Sequence, residues 1–281
     1  MGLLYGKPLA DKLLALIKAR VKKASVVPGL AVILIGDDAP SRLYVNLKEK
    51  AAQSVGIHFE KYDFPKTVAR EDIFQCIGEL NLRKDIHGIV VQLPLPEGLP
   101  TNEIIARIDQ RKDTDGFHPE TLRKFLAGEQ DECPVFPRAM ITLLRSLQIR
   151  YAGEKGLVIA NSEMLGKITM RALMNEGLRA EYILSQEKPE IISAKTQEAR
   201  VILTACGIPN LITGAMISKK TIVIDGGISQ LDGKVVGDAE RVSVEKKADF
   251  LSPVPGGVGP VTVAVLLARV TERALDDMKA E

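Results

Sequence analysis

With 46% hydrophobic and 26% charged residues, a chain of 281 residues can build one large or two ordinary globular domains, and the balance excludes a disordered chain. A net charge of +2 gives no electrostatic case for nucleic acid or an acidic membrane surface, and 4% aromatics without Trp leave little for base stacking. Apolar runs such as 30–35 are strand-length, and the start of the chain lacks a basic stretch followed by an apolar core, so neither a membrane span nor a leader is expected. Cys76, Cys133 and Cys206 are few and widely spaced, which reads as reduced thiols in a cytoplasmic protein. His58, His87 and His118 are equally dispersed, so no metal site is expected.

The spacing predicts an opening helix over 6–24, with Leu9, Leu13, Leu16, Ile17 and Ala24 on its inner side. Residues 30–36 form a continuous apolar run, as in a parallel strand covered on both faces. A helix follows between Ser41, read as its cap, and Gly56, read as its stop. Leu43, Leu47, Ala51 and Val55 are expected on its buried face. Tyr44 and Lys48, also four apart, project together from a neighbouring face. A ring with a polar tip beside an ammonium suits a site that stacks a flat ligand and moves a proton, while a solvated Lys beside a half-buried Tyr is the plainer reading.

Residues 58–64 alternate as a second strand, 69–82 return to helical spacing, and 88–93 make a third strand, so this half is expected to be a parallel αβ layer. That strand runs into Gln92-Leu-Pro-Leu-Pro96, where ligands gather in open parallel sheets, so Gln92 is a candidate polar contact. In Lys112-Asp-Thr-Asp-Gly-Phe-His118 two carboxylates precede a turn glycine. Three readings stay open: a cation site lacking the other ligands of a calcium loop, a plain turn, or a carboxylate that accepts paired hydrogen bonds from a 2-amino-pyrimidinone edge.

Pro134 and Pro137 introduce a helix expected over 138–148. A second alternating layer then has strands at 156–160, 181–184, 201–204 and 221–225 and a helix at 162–177, a Rossmann-like arrangement. Its first turn, Ala160-Asn-Ser-Glu-Met-Leu-Gly166, lacks the usual glycine spacing, and Glu187 stands where an acid would meet ribose hydroxyls. Residues 251–262 are dense in Pro and Gly, either a loop that brings backbone N–H groups to a ligand or a linker. A closing helix is expected over 261–278.

Five segments together carry a resemblance: Ser41-x-x-Tyr44-Val-x-x-Lys48-x-Lys50-Ala, Val91-Gln92-Leu-Pro-Leu-Pro96, Lys112-Asp-x-Asp115-Gly-Phe-His-Pro119, Asp232-Gly-Lys-x-Val-Gly-Asp238 and Pro253-Val-Pro-Gly-Gly-Val-Gly-Pro-x-Thr262. In this order, and over nearly the whole chain, the sequence resembles the FolD family of methylenetetrahydrofolate dehydrogenase/methenyltetrahydrofolate cyclohydrolases. The resemblance implies an α/β fold of two domains: a folate-binding catalytic domain over 1–137 plus 253–281, and a Rossmann-like NAD(P)-binding domain over 138–252. It implies tetrahydrofolate derivatives as substrates, NADP or NAD as cofactor, and a homodimer. It makes Lys48 the central catalytic residue, with Tyr44 stacking on folate, Gln92 positioning Lys48 or water, and Asp115 holding the pterin. Leu93, Pro94, Pro255, Gly256 and Gly257 would line the substrate; Ala160, Asn161, Ser162, Glu187, Gly207 and Ile228 would line the cofactor.

The departures from the family fall on the nucleotide side. Its Gly-Arg-Ser-x-x-Val-Gly-x-Pro turn is here Ala160-Asn-Ser-Glu-Met-Leu-Gly-Lys-Ile168, and its Ser after the second strand aligns with Glu187. Pro134-Val-Phe-Pro-Arg-Ala139 and Asp225-Gly-Gly-Ile-Ser229 replace Pro-Cys-Thr-Pro-x-Gly and Asp-Val-Gly-Ile-Asn. The competing expectations are NAD in place of NADP, a cyclohydrolase that has lost dinucleotide binding, and a non-catalytic folate-binding protein.

Overall fold

The computed structural model describes residues 2–129 and 132–280. Along the chain come β1 (Gly2–Leu3), α1 (Lys7–Lys23), β2 (Gly29–Ile35), α2 (Ala39–Val55), β3 (His58–Phe64), α3 (Arg70–Leu82) and β4 (Gly88–Val91). Next are α4 (Thr101–Ile105), α5 (Pro119–Ala127), α6 (Val135–Arg145), β5 (Lys155–Ala160), α7 (Glu163–Asn175), β6 (Arg179–Leu184) and α8 (Pro189–Glu198). The chain continues with β7 (Val201–Ala205), β8 (Ile222–Asp225), β9 (Ser229–Leu231), β10 (Lys234–Val236), α9 (Arg241–Lys247), β11 (Phe250–Ser252) and α10 (Val258–Ala280). No described helix is long and apolar enough to cross a membrane.

The chain divides into two compact units, Asp11–Val135 with Val263–Glu281, and Met1–Ala10 with Phe136–Thr262. The expected division is displaced at both ends, since 1–10 and 253–262 join the second unit. The reason lies in backbone pairing. β1 runs parallel to β11, Gly2 opposite Phe250 and Leu3 opposite Leu251, and the Gly6 N–H donates to the Gly256 carbonyl at 2.8 Å. A strand as short as β1 gives no periodicity to read from sequence.

In the Asp11–Val135 unit a three-stranded parallel sheet has the order β3-β2-β4, with β2 central and buried along its whole length. Ala31, Ile33 and Ile35 of β2 pack with Ile73, Ile77 and Leu80 of α3 and with Ile89 and Val91 of β4. Helix α2 starts earlier than the sequence suggested. Asp38 is its cap, its Oδ2 accepting from the Ser41 N–H at 2.9 Å and the Ser41 hydroxyl at 2.7 Å, so Ser41 lies inside the first turn. Gly56 ends the helix as expected, with φ +86° and its N–H on the Ala52 and Gln53 carbonyls.

The buried face of α2 also differs. It is Ser41, Val45, Lys48, Ala52 and Val55, whereas Leu43 is 57% and Leu47 46% exposed. A strict four-residue repeat creeps around a helix of 3.6 residues per turn, but the alternation of four and three followed by 41, 45, 48, 52 and 55 stays on one side. In α1, Leu16, expected inside, is exposed, while Ala10 and Ile17 are buried.

The other unit holds a six-stranded parallel sheet in the order β1-β11-β8-β7-β5-β6, and a separate antiparallel hairpin of β9 and β10. Leu157, Ile159, Ile202, Val223 and Leu251 form one side of its core, with Ile192 of α8 and Val244 of α9. Helix α6 begins at Val135, three residues before the expected start, with Pro137 in its first turn. Proline is tolerated there because the first N–H groups of a helix have no partner within it.

Candidate functional site

Lys48 lies on the buried face of α2, 8% exposed, and its Nζ donates to Gln92 Oε1 at 2.8 Å. Gln92 follows β4 directly, and its backbone N–H still pairs with the Ile33 carbonyl at 2.9 Å. Its side-chain Nε2 donates to the Leu93 carbonyl at 2.8 Å, which turns Oε1 towards the lysine. The amide fixes the ammonium without neutralising it. Burial therefore pulls the Lys48 pKa below the ordinary lysine value, and the charge of Asp115 opposes that fall. Tyr44, one turn earlier and half-buried, has its phenol pushed up by burial. The Leu93–Pro94 bond that leaves this corner is cis.

The two carboxylates after α4 have separate tasks. Asp113 is buried and makes a turn: Oδ1 accepts from the Gly116 and Phe117 N–H groups at 3.0 and 3.3 Å, and Oδ2 from His118 at 2.8 Å. Of the readings left open for this segment, Asp113 thus takes the turn. Asp115 is the carboxylate within electrostatic reach of Lys48. Burial raises its pKa first, the positive charge of Lys48 lowers it, Asp113 raises it, and Arg269 lowers it. Asp115 also lines a small cavity with Val91, Leu93, Ile105 and Phe117 at the carboxyl end of β4. Tyr44, Lys48, Gln92, Leu93, Pro94 and Asp115 therefore share one unit, around the carboxyl ends of β2 and β4.

Pro255, Gly256 and Gly257 belong to the other unit. The Val254–Pro255 bond is cis, Gly256 has φ +106°, and a Cβ on Gly257 would lie 2.7 Å from the Pro253 carbonyl oxygen. Only glycine fits such a path.

In that unit Ala160 ends β5, exposed Asn161 makes the turn, and Ser162 caps α7, its Oγ accepting from the Leu165 N–H at 3.5 Å. A Cβ on Gly166 would come within 2.5 Å of the Tyr182 ring, so this glycine lets α7 lie against β6. Glu187, exposed, follows β6, its N–H on the Leu184 carbonyl at 3.1 Å. Gly207 has φ +69° after β7, and its carbonyl accepts from the Ser229 hydroxyl at 2.6 Å; the neighbouring Ile228 is exposed. A strand end, a capped helix N-terminus and an acid after the next strand fit a dinucleotide: the α7 N–H groups suit its pyrophosphate and Glu187 its ribose hydroxyls.

Asp225 and Asp238 escaped the sequence reading as site residues. Both are buried. Asp238 accepts from the Thr204 hydroxyl at 2.6 Å and from the N–H groups of Cys206 and Ile208 at 2.7 and 2.9 Å, which sets the loop after β7. Asp225 accepts from the N–H groups of Gly227, Asp238 and Ala239 at 2.9, 3.1 and 2.8 Å. Burial, then the neighbouring Asp238, pushes Asp225 up to about 7. The signal for them was glycine: a Cβ on Gly227 or Gly237 would fall 2.1 Å from a carboxylate atom.

Comparison with known proteins matches two successive parts of the chain. Residues 4–115 match the model of the tetrahydrofolate dehydrogenase/cyclohydrolase catalytic domain, and residues 134–278 match that of its NAD(P)-binding domain. A relative from Exiguobacterium sibiricum, described as bifunctional protein FolD, is 38% identical over 91% of this chain and 92% of its own. The crystal structure of the bifunctional FolD enzyme from Campylobacter jejuni superposes with a TM-score of 0.93 at 34% identity, covering 99% of each chain. The Trypanosoma brucei FolD structure, complexed with NADP cofactor and inhibitor, gives 0.94 at 27% identity over 99% of this chain and 98% of that one.

Proposed function

The chain belongs to the tetrahydrofolate dehydrogenase/cyclohydrolase family, and we propose that it interconverts 5,10-methylene-, 5,10-methenyl- and 10-formyl-tetrahydrofolate. The observation that carries this reading is the buried Lys48 held by Gln92 within electrostatic reach of Asp115. A binding protein needs no buried ammonium with a depressed pKa; an enzyme that moves a proton near neutral pH does.

A dinucleotide held by the α7 N-terminus and Glu187 would supply the hydride acceptor that turns the methylene substrate into the methenyl cation. Water adds to the one-carbon bridge of that cation and loses one proton; the bond from that carbon to N5 then breaks as the remaining hydroxyl proton passes to N5, leaving the formyl group on N10. Lys48 in its neutral form takes the first proton, Gln92 aims its nitrogen, Tyr44 stacks along the folate, and Asp115 accepts from the pterin edge. Leu93 and Pro94 line the same corner. Replacing Lys48 with Met should lower methenyl-tetrahydrofolate hydrolysis about 10²–10⁴-fold, the usual worth of a positioned proton carrier. A K48M variant that hydrolyses at the wild-type rate would refute the assignment.

On the nucleotide side NAD is the favoured cofactor. Asn161 offers no cation to a 2′-phosphate, and Glu187 presents an exposed carboxylate where that phosphate would stand. The hairpin side chains Leu231 and Val235 and the adjacent Ile228 are exposed apolar groups that support a homodimer, to be checked by light scattering. The three thiols support a cytoplasmic location.

A further inference from the structure

The segment that carries Asp115 is fastened from α10. Arg269, 8% exposed, donates through Nη1 to the Thr114 carbonyl at 3.1 Å and through Nη2 to the Cys133 carbonyl, and its Nε lies 3.7 Å from Glu132 Oε1. One turn further, Arg273 donates to the Asp113 carbonyl at 3.2 Å and to Glu132. On the other side of Asp115, its own carbonyl accepts from the Val135 N–H at 2.9 Å. Gly116, at φ +84°, leaves the guanidinium its room, since a Cβ there would lie 2.9 Å from Arg269 Nη1.

A buried guanidinium is a poor choice for stability alone, because an apolar side chain of similar volume often serves as well or better. What an apolar residue cannot supply is direction and charge: two donors aimed at fixed carbonyls, and a cation that never deprotonates. We propose that Arg269 is a positioning residue of the folate-side reaction, one that fixes the backbone at Thr114 and faces Asp115 with a permanent positive charge. This rests on the reading of Asp115 as the carboxylate that holds the pterin. The charged groups around Asp115 are Lys48 from α2, Asp113 from its own segment, and Arg269 from α10, with Glu132 and Arg273 paired beside the last. Arg269 and Lys48 favour the carboxylate, while burial and Asp113 favour the acid.

The test compares R269M and R269K with the wild type in methenyl-tetrahydrofolate hydrolysis from acidic to alkaline pH, with NAD and NADP binding measured alongside. R269M should raise the folate KM about ten- to a hundredfold, the range of a lost charge-assisted hydrogen bond, while dinucleotide Kd stays at the wild-type value. The acid limb of kcat/KM should move to higher pH, because Asp115 loses a cation that favours its ionised form. R269K should restore the limb more than the KM, since an ammonium supplies charge without the paired donors. Wild-type KM and limb in R269M would overturn the proposal; if R269M does not fold, the same result in R269K does so. Absence of hydrolysis in the wild type counts against the proposed activity instead. Arg269 is then judged by calorimetric tetrahydrofolate binding, where a Kd unchanged by the substitution overturns its role.

Discussion

Asp225 should make this protein less stable as pH rises. Its carboxyl is buried beside Asp238 and is pushed from an ordinary 3.8 to about 7. The folded state therefore binds the proton more tightly than the unfolded state. Between the two values the folded chain carries more protons, so unfolding free energy falls as pH increases, and it levels off above about 7. The shift of about three units, at 1.36 kcal/mol each, sets a ceiling of roughly 4 kcal/mol. About 1.5 kcal/mol of that is already lost at pH 5, so roughly 2–3 kcal/mol remains between pH 5 and 8. Urea unfolding of the wild type and of Asp225→Asn at both pH values isolates it, because every other titrating group cancels in the difference. The wild type should lose that amount relative to the variant. Parallel losses in the two proteins would refute the reasoning, and a larger loss in the variant would reverse its sign.

Two further outcomes follow from particular contacts. Val45→Ala should cost about 2 kcal/mol of stability, since it empties a fully buried position, while Leu43→Ala should stay within about 0.5 kcal/mol; denaturant midpoints compare them directly. Equal losses would return Leu43 to the buried face. Glu187→Ser should tighten NADP binding several-fold and weaken NAD binding, which loses the acceptor for its ribose hydroxyls, read from the rise in melting temperature with each nucleotide. Strong stabilisation of the wild type by NADP would contradict the place given to this acid.

Much of the architecture was legible along the chain. The uninterrupted apolar runs of β2, β4, β5, β7 and β8 announce parallel strands covered on both faces, because burial on both sides removes the polar alternation. Gln92 stood out at a strand end and Lys48 by its spacing from Tyr44, while the roles given to Lys48, Gln92 and Asp115 came from the family resemblance. β1, β11 and the hairpin of β9 and β10 were not found, since strands this short have no period and exist only through their pairing partners. Glu187 and Asn161 could be weighed from sequence, because the end of a Rossmann strand brings its own chemistry.

By itself the sequence determined where the longer strands and helices lie and, through motifs in order, the family to which the chain belongs. All of these are local, fixed by residues a few positions apart. Tertiary structure alone decided which side of α2 is buried, why Asp113 serves the turn while Asp115 faces Lys48, and which arginine of α10 holds that turn from more than a hundred residues away in the chain. Those answers depend on which groups lose water together and which donors are left to meet them, and that is settled only when distant segments close on one another.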